Sequence, residues 1–405
     1  MNEFVRRVGL PGKPLASRMM SLDIELTERC NNDCIHCCIN LPANDQGARS
    51  REMTTAQIKG ILREAADLAC LQVRFTGGEP LLRRDFEELY IFARRLGLKV
   101  SLFTNACLVT PRIAGLFARI PPLEPIEITV YGMRPQSYEA VTRKPGTFAQ
   151  FRRGVDLLLQ HHVPFILKSV ILPPNVDEIE EFEAWAKTIP WMRDRPSYSM
   201  FYDLRNRRDD ADKNKTIESL RVAPQDALFF IARNESDYRQ SMTEFATRCM
   251  SGSAYDRLFA CDLAECACVD SYGRAQPCMG LRAPEMTVQL TGGERRASGE
   301  SNASSDQATL DDSSAVGLAA ALNRFPELRS LRATNPEYLR RCARCVLRGF
   351  CEQCPAKSWA EYGNLDTPVE YLCEVAHAQA RYLGWLGDNE RGWEVTNWRD
   401  RINFG

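Results

Sequence analysis

The sequence predicts an α/β fold: a partial (β/α)6 TIM-like barrel followed by a cysteine-rich C-terminal domain. Three observations predict it. Residues 21 to about 203 alternate short apolar segments with amphipathic ones. Repeated strand–helix units of this kind imply a parallel sheet with right-handed crossovers, and six of them suit a partial barrel. The chain has 405 residues, too many for one ordinary domain, and its 44% hydrophobic and 26% charged content is that of a soluble globular protein. Nine of its sixteen cysteines fall within 261–375, which sets that stretch apart from the barrel.

In chain order, strands are expected at 21–26, 72–75, 99–103, 126–130, 165–171 and 197–202. The helices between them announce themselves by apolar stripes. In 54–69, Ile58, Ile61, Leu62, Ala65 and Leu68 share a face. In 85–96, Phe86, Leu89, Tyr90 and Ala93 do so, and Gly97 stands where a helix C-cap is expected. In 147–161 the stripe is Phe148, Phe151, Val155, Leu158 and Leu159, and 176–189 closes the series. The expected organisation is a tail at 1–15, the barrel at 16–205, a polar helical bridge at 206–260, the cysteine-rich domain at 261–375, and a last helix and tail at 376–405. Within the fourth segment, 291–314 lacks aromatic residues and reads as a disordered insertion. A lid ordered by substrate is the alternative.

The chemistry concentrates at strand ends, where ligands bind in parallel α/β folds. After the first strand comes C-N-N-D-C-I-H-C, in which Cys30, Cys34 and Cys37 form a C-x3-C-x2-C pattern. Iron–sulfur clusters are held by cysteine thiolates. Three thiolates on one loop can hold three irons of a four-iron cluster and leave the fourth open to a ligand, as catalytic metal sites do. At the end of the second strand stands Thr76-Gly77-Gly78-Glu79-Pro80. Gly77 and Gly78 allow close backbone approach, and Glu79 offers an acceptor to an ammonium group. A zinc knuckle is the alternative for the cysteines.

Composition excludes several classes. A formal net charge of −1 gives no broad basic surface for nucleic acid. No apolar run approaches the length of a membrane span, and no apolar stretch follows the N-terminus as in a secretory signal. Neither nucleic acid nor membrane is an expected partner. Sixteen cysteines without an export signal point to a reducing, cytoplasmic setting and to metal rather than disulfides.

Together, the cysteine loop and Gly-Gly-Glu-Pro resemble the radical S-adenosylmethionine (radical SAM) enzymes. The resemblance implies a [4Fe-4S] cluster at Cys30, Cys34 and Cys37, whose open iron is chelated by the amino and carboxylate groups of SAM. One electron then releases a 5′-deoxyadenosyl radical. Gly77, Gly78, Glu79 and Pro80 become cofactor-binding residues. So do Thr104 and Asn105 after the third strand, Thr129 on the fourth as a ribose contact, and Arg143 as partner of the SAM carboxylate, which a planar guanidinium suits. Lys168 and Asn175 match a recurrent family arrangement without an assigned role.

The second cysteine field resembles the SPASM extension of such enzymes, which carries two auxiliary [4Fe-4S] clusters. Cys261, Gly273 and Cys278 give C-x11-G-x4-C, and then come Cys342, Cys345, Cys351, Cys354 and Cys373. The last pair, Cys351 and Cys354, is one residue shorter than the family spacing. The resemblance implies a first auxiliary cluster at Cys278, Cys354 and two of Cys261, Cys266 and Cys268. A second would take Cys342, Cys345, Cys351 and Cys373. Two structural zinc sites are the alternative.

Cys70 and Cys249 read as small buried hydrophobes. Cys107, at the barrel mouth, is a catalytic candidate that donates a hydrogen atom to a substrate radical or traps it. The expected function is a radical SAM/SPASM oxidoreductase acting on a peptide side chain in ribosomal peptide maturation. A flavodoxin- or ferredoxin-like protein is the expected external electron donor. Sulfatase maturation is disfavoured because Met279, not an acid, follows Cys278. The alternatives are a radical dehydrogenase or coupling enzyme for a small metabolite, kept open by the short segment before the first strand, and a zinc-stabilised scaffold.

Overall fold

Strand β1 (Ser21–Thr27) starts a sheet whose pattern follows from alternation. Leu22, Ile24 and Leu26 are fully buried, while Asp23 and Glu25 point to the other face. Next come β2 (Gln72–Gly77), β3 (Lys99–Thr104), β4 (Ile126–Val130), β5 (Phe165–Val170) and β6 (Ser197–Ser199). These six strands lie in chain order and all neighbours are parallel. On the other side of β1 the sheet continues with β7 (Cys266–Val269), parallel to β1, and then β8 (Arg274–Gln276) and β9 (Val288–Gln289), both antiparallel. The expected α/β architecture with six parallel strands is present, and the hairpin edge is an addition to it.

The structure is a computed structural model that describes residues 19–250, 256–259, 261, 266–291, 316–396 and 401, with 247–249 described by backbone alone. Apart from Thr291, the expected insertion at 291–314 lies outside the described residues. So do the tail at 1–15 and the side chain of Cys249.

The crossover helices are α1 (Thr55–Asp67), α2 (Phe86–Arg95), α3 (Pro111–Arg119), α4 (Pro135–Thr142), α5 (Thr147–Gln160) and α6 (Ile179–Ala186). Helix α1 opens with a capping box: Thr54 and Gln57 satisfy each other's backbone N–H groups. Helix α2 ends at Gly97, whose φ of 84° is the left-handed conformation a C-cap needs. Helices α3 and α4 escape the apolar-stripe reading because both are short and begin with proline. At the first helical position a proline starts a helix rather than breaking it. The segment at 176–189 begins as a 3-10 turn, Val176–Glu178, before α6. The stripes meet in an aromatic core in which Phe75, Phe86, Tyr90 and Phe117 pack edge to face or stacked. Each fully buried side chain of this size contributes about 1.5–3 kcal/mol.

The chain divides into two compact units. One holds Met1–Ser199, Asp262–Met279 and Pro284–Pro326, and so contains the whole sheet. The other holds Met200–Cys261, Gly280–Ala283 and Glu327–Gly405. The second unit is helical, with Ala211–Ser219, Pro224–Ile231, Glu235–Cys249, Pro336–Arg340, Pro355–Tyr362 and Glu370–Tyr382. Its core joins Ala246, Val346, Leu347, Phe350, Ala376 and Trp385.

Candidate functional site

The loop bearing Cys30, Cys34 and Cys37 leaves β1 through an irregularity between Glu25 and Thr27 that shifts the register with β2. Its base is fixed at once. Gly78 N–H donates to the Thr27 carbonyl at 2.7 Å and Glu79 N–H to the Arg29 carbonyl at 3.0 Å. The approach is so close that a Cβ on Gly77 would lie 2.1 Å from the Thr27 oxygen, and one on Gly78 2.3 Å from the Arg29 oxygen. The two glycines expected to admit a ligand therefore admit the cysteine loop itself. Arg29 is held by Glu52 at 2.8 Å and by the Ala43 carbonyl at 2.9 Å.

The far side of the loop rests on α4. The amides of Asp33 and Ile35 donate to the Thr142 and Val141 carbonyls at 2.9 and 3.0 Å, groups that a helix end leaves without intrahelical partners. Arg143, at φ 52°, caps that helix and pairs with Asp33 at 2.7 Å. The residue expected to meet a SAM carboxylate thus also clamps the loop.

Cys30 and Cys34 are buried and Cys37 is half-buried. The Asn32 amide points at Cys30 Sγ at 3.4 Å and the Asn105 side-chain amide at 3.7 Å. Donors aimed at sulfur are what a thiolate-held cluster uses, so the donor set fits such a group. Burial, then the Glu79 carboxylate, pushes the Cys30 thiol up. Glu79 is itself fully buried, and burial raises it to about 7 against three hydrogen bonds. These come from the Asn105 amide at 2.9 Å, the Leu81 amide at 3.1 Å and the Thr104 hydroxyl at 2.9 Å. Glu79, Thr104 and Asn105 are therefore one hydrogen-bonded unit joining the ends of β2 and β3. Cys107 lies against it. Its amide donates to the Asn105 side-chain oxygen at 2.9 Å, its sulfur is 3.5 Å from the Thr147 carbonyl, and burial pushes its thiol up to about 12.

The sheet face opposite the helices is polar. Asp23 pairs with Arg74 at 3.0 Å, and Glu127 pairs with Lys168. Arg74 and Lys168 both lie over the Phe103 ring, at 4.7 and 4.9 Å from its centroid. Half-buried Thr129 occupies the same face, beside Lys168 in register. Asn175 is spent on structure: it donates to the Tyr131 and Val170 carbonyls and accepts from Leu172. The sequence reading missed Asp23, Arg74 and Glu127. Charged residues at every second position of a buried strand were the available signal.

The remaining cysteines fall in both units. In the first, Cys266 and Cys268 sit on β7, exposed and buried respectively, opposite Ser21 and Asp23. Gly273 makes the β7–β8 turn at φ 79°, and exposed Cys278 follows β8. In the second unit, exposed Cys261 stands beside undescribed residues. Cys342, Cys345, Cys351 and Cys373 line one cavity with His377 and Trp393, and Cys354 precedes the Pro355–Tyr362 helix as its N-cap. Burial pushes the Cys342 and Cys345 thiols up to about 11 and about 12. Among the described residues, no group of three or more His, Cys, Asp or Glu side chains is gathered around a single metal-ion position. Cys70 is buried, with its sulfur 3.1 Å from the Gln72 carbonyl.

Residues 24–186 match the Radical SAM superfamily. The matched segment runs from β1 to α6 and includes the loop of Cys30, Cys34 and Cys37. It is 28% identical over 202 residues to the AdoMet-dependent heme synthase of Methanosarcina barkeri (strain Fusaro / DSM 804), covering 50% of this chain and 54% of that protein. It is 32% identical over 196 residues to the PqqA peptide cyclase of Gluconobacter oxydans (strain 621H), covering 48% and 53%. The chain spans about half the length of these curated relatives. Among solved structures, Streptococcus suis SuiB bound to precursor peptide SuiA superposes with a TM-score of 0.57 at 16% identity, over 88% of this chain and 76% of that one. That likeness is one of fold. No described helix is long and apolar enough to cross a membrane.

Proposed function

We propose that this chain reductively cleaves S-adenosylmethionine and uses the 5′-deoxyadenosyl radical to abstract hydrogen from a peptide side chain, as an oxidoreductase of peptide maturation. One observation carries the reading: the backbone clip that sets Gly77, Gly78 and Glu79 against the loop of Cys30, Cys34 and Cys37. A [4Fe-4S] cluster held by these cysteines would supply the electron that breaks the sulfonium. Gly77, Gly78, Glu79 and Pro80 form the wall beside it, Thr104, Asn105 and Thr129 offer polar contacts to the nucleoside, and Arg143 offers its guanidinium to the carboxylate. Burial pushes the Cys107 thiol up, toward the S–H form that donates a hydrogen atom.

Cys342, Cys345, Cys351 and Cys373 are proposed as ligands of one auxiliary [4Fe-4S] cluster. A peptide substrate is supported by the names of the PqqA peptide cyclase and of SuiB with its precursor peptide. A small-metabolite substrate is the second reading, supported by the heme synthase relative. The electron comes from a flavodoxin- or ferredoxin-like protein in the cytoplasm.

Anaerobically reconstituted protein with dithionite is expected to convert SAM to 5′-deoxyadenosine. Replacing Cys30, Cys34 and Cys37 together by alanine is expected to abolish that product. An unchanged yield in the triple variant would end the assignment.

A further inference from the structure

At the cavity lined by Cys342, Cys345, Cys351 and Cys373, a cation is bonded to a sulfur. Arg341 Nη2 donates to Cys373 Sγ at 3.4 Å. The guanidinium is fixed on two other sides. It makes a two-pronged pair with Glu370, at 2.5 and 2.9 Å, and it lies 4.7 Å from the centroid of the Trp393 ring. Its side chain is only 12% exposed, so solvent screens it weakly. A fork held at both ends is pre-organised and loses little freedom when it donates. Arg348 also lines the cavity and donates to the Arg257 carbonyl at 2.6 Å.

The same sulfur has a second, neutral neighbour. His377 Nε2 accepts from the Gly392 amide at 3.0 Å, which leaves Nδ1 as the protonated nitrogen. That Nδ1–H meets the Cys373 carbonyl at 2.7 Å and lies 3.6 Å from the Cys373 sulfur. Cys373 is thus the thiol on which polar hydrogens converge.

The potential of an iron–sulfur cluster depends on its net charge, on hydrogen bonds to its sulfurs and on its exposure to solvent. One-electron reduction adds a negative charge, and a fixed guanidinium N–H at a ligand sulfur favours the reduced form over the oxidised one. We infer that Arg341, held by Glu370 and Trp393, is a positioning residue that raises the reduction potential of the cluster bound at Cys342, Cys345, Cys351 and Cys373. The inference rests on the reading of these four cysteines as an auxiliary cluster site. It gives that cluster the part of electron acceptor.

The test uses the full chain with Cys30, Cys34 and Cys37 replaced by alanine, so that only auxiliary iron remains, reconstituted with iron and sulfide. Potentiometric titration followed by electron paramagnetic resonance is run on this protein and on Arg341→Lys, Arg341→Gln and Arg341→Glu versions of it. One reduced-cluster signal is expected to move to more negative potential in the order Lys, Gln, Glu, with iron content unchanged. An unmoved potential with iron retained overturns the inference alone. Loss of iron in all three variants, lysine included, also overturns it, since Arg341 then serves only to hold the fold. A parent protein without any four-iron signal overturns the cluster reading itself.

Discussion

At Gly78 a methyl group would lie 2.3 Å from a backbone oxygen that cannot swing aside. Gly78→Ala therefore has to push the Arg29 segment, and with it Cys30, away from β2. The expected cost is about 1–3 kcal/mol, as for other overpacked sites, seen as a lower urea midpoint. The loop is also expected to lose its iron, about four atoms by the usual cluster count. Unchanged midpoint and iron content would show that the clip does not set the loop. The loop and the glycines are legible in the sequence because each motif is local. Their mutual contact is not, nor is the pairing of Arg143 with Asp33, because each joins residues that only the folded sheet brings together. The spacing of Cys342, Cys345, Cys351 and Cys373 singles them out as candidate ligands, but Arg341 carries no signature beyond being one of many arginines.

Among the elements, the β1 exit and the start of α1 are tied by one side chain. Arg83 donates to the Leu26 carbonyl at 3.1 Å and to the Met53 carbonyl at 3.0 Å, while Asp85 grips it at 2.7 and 2.8 Å. Partial burial pushes the Asp85 carboxyl up, but Arg83 and the Thr55 hydroxyl more than offset this and hold it below its usual value. A carboxylate whose folded pKa is depressed stabilises the fold above its unfolded pKa of about 4 and loses that contribution as pH falls through the lower folded value. Asp85→Asn is expected to cost about 1–2 kcal/mol at pH 7. The gap between variant and wild-type urea midpoints is expected to close as pH drops below about 4. A gap that stays constant with pH would mean that Asp85 acts by shape and not by charge. At this scale the alternation of strands and helices is readable wherever buried stripes repeat with the element's own period, which leaves out the short helices α3 and α4. The hairpin of β7 and β8 escapes as well. Its strands are short, and their place in the sheet depends on pairing with a strand far away in the sequence.

For the whole chain, the cysteine ledger makes a prediction of its own. Three four-iron clusters require about twelve irons per protein, and the variant lacking Cys30, Cys34 and Cys37 is expected to keep about eight. Elemental analysis of anaerobically purified protein measures both. A wild-type value near four with stoichiometric zinc would make the C-terminal cysteines structural zinc ligands.

The pairing of β1 with β7 bears on how this protein is made. Ser21 meets Cys266 across that ladder, so β1 leaves the ribosome well before the partner strand that pairs with it. Until then β1 has one unpaired edge, the condition in which strands recruit other chains. Contacts so distant in sequence also form slowly, because the intervening loop has to close first. The nascent barrel thus has an open seam beside its cysteine loop until β7 has been made, and closing that seam waits on that strand.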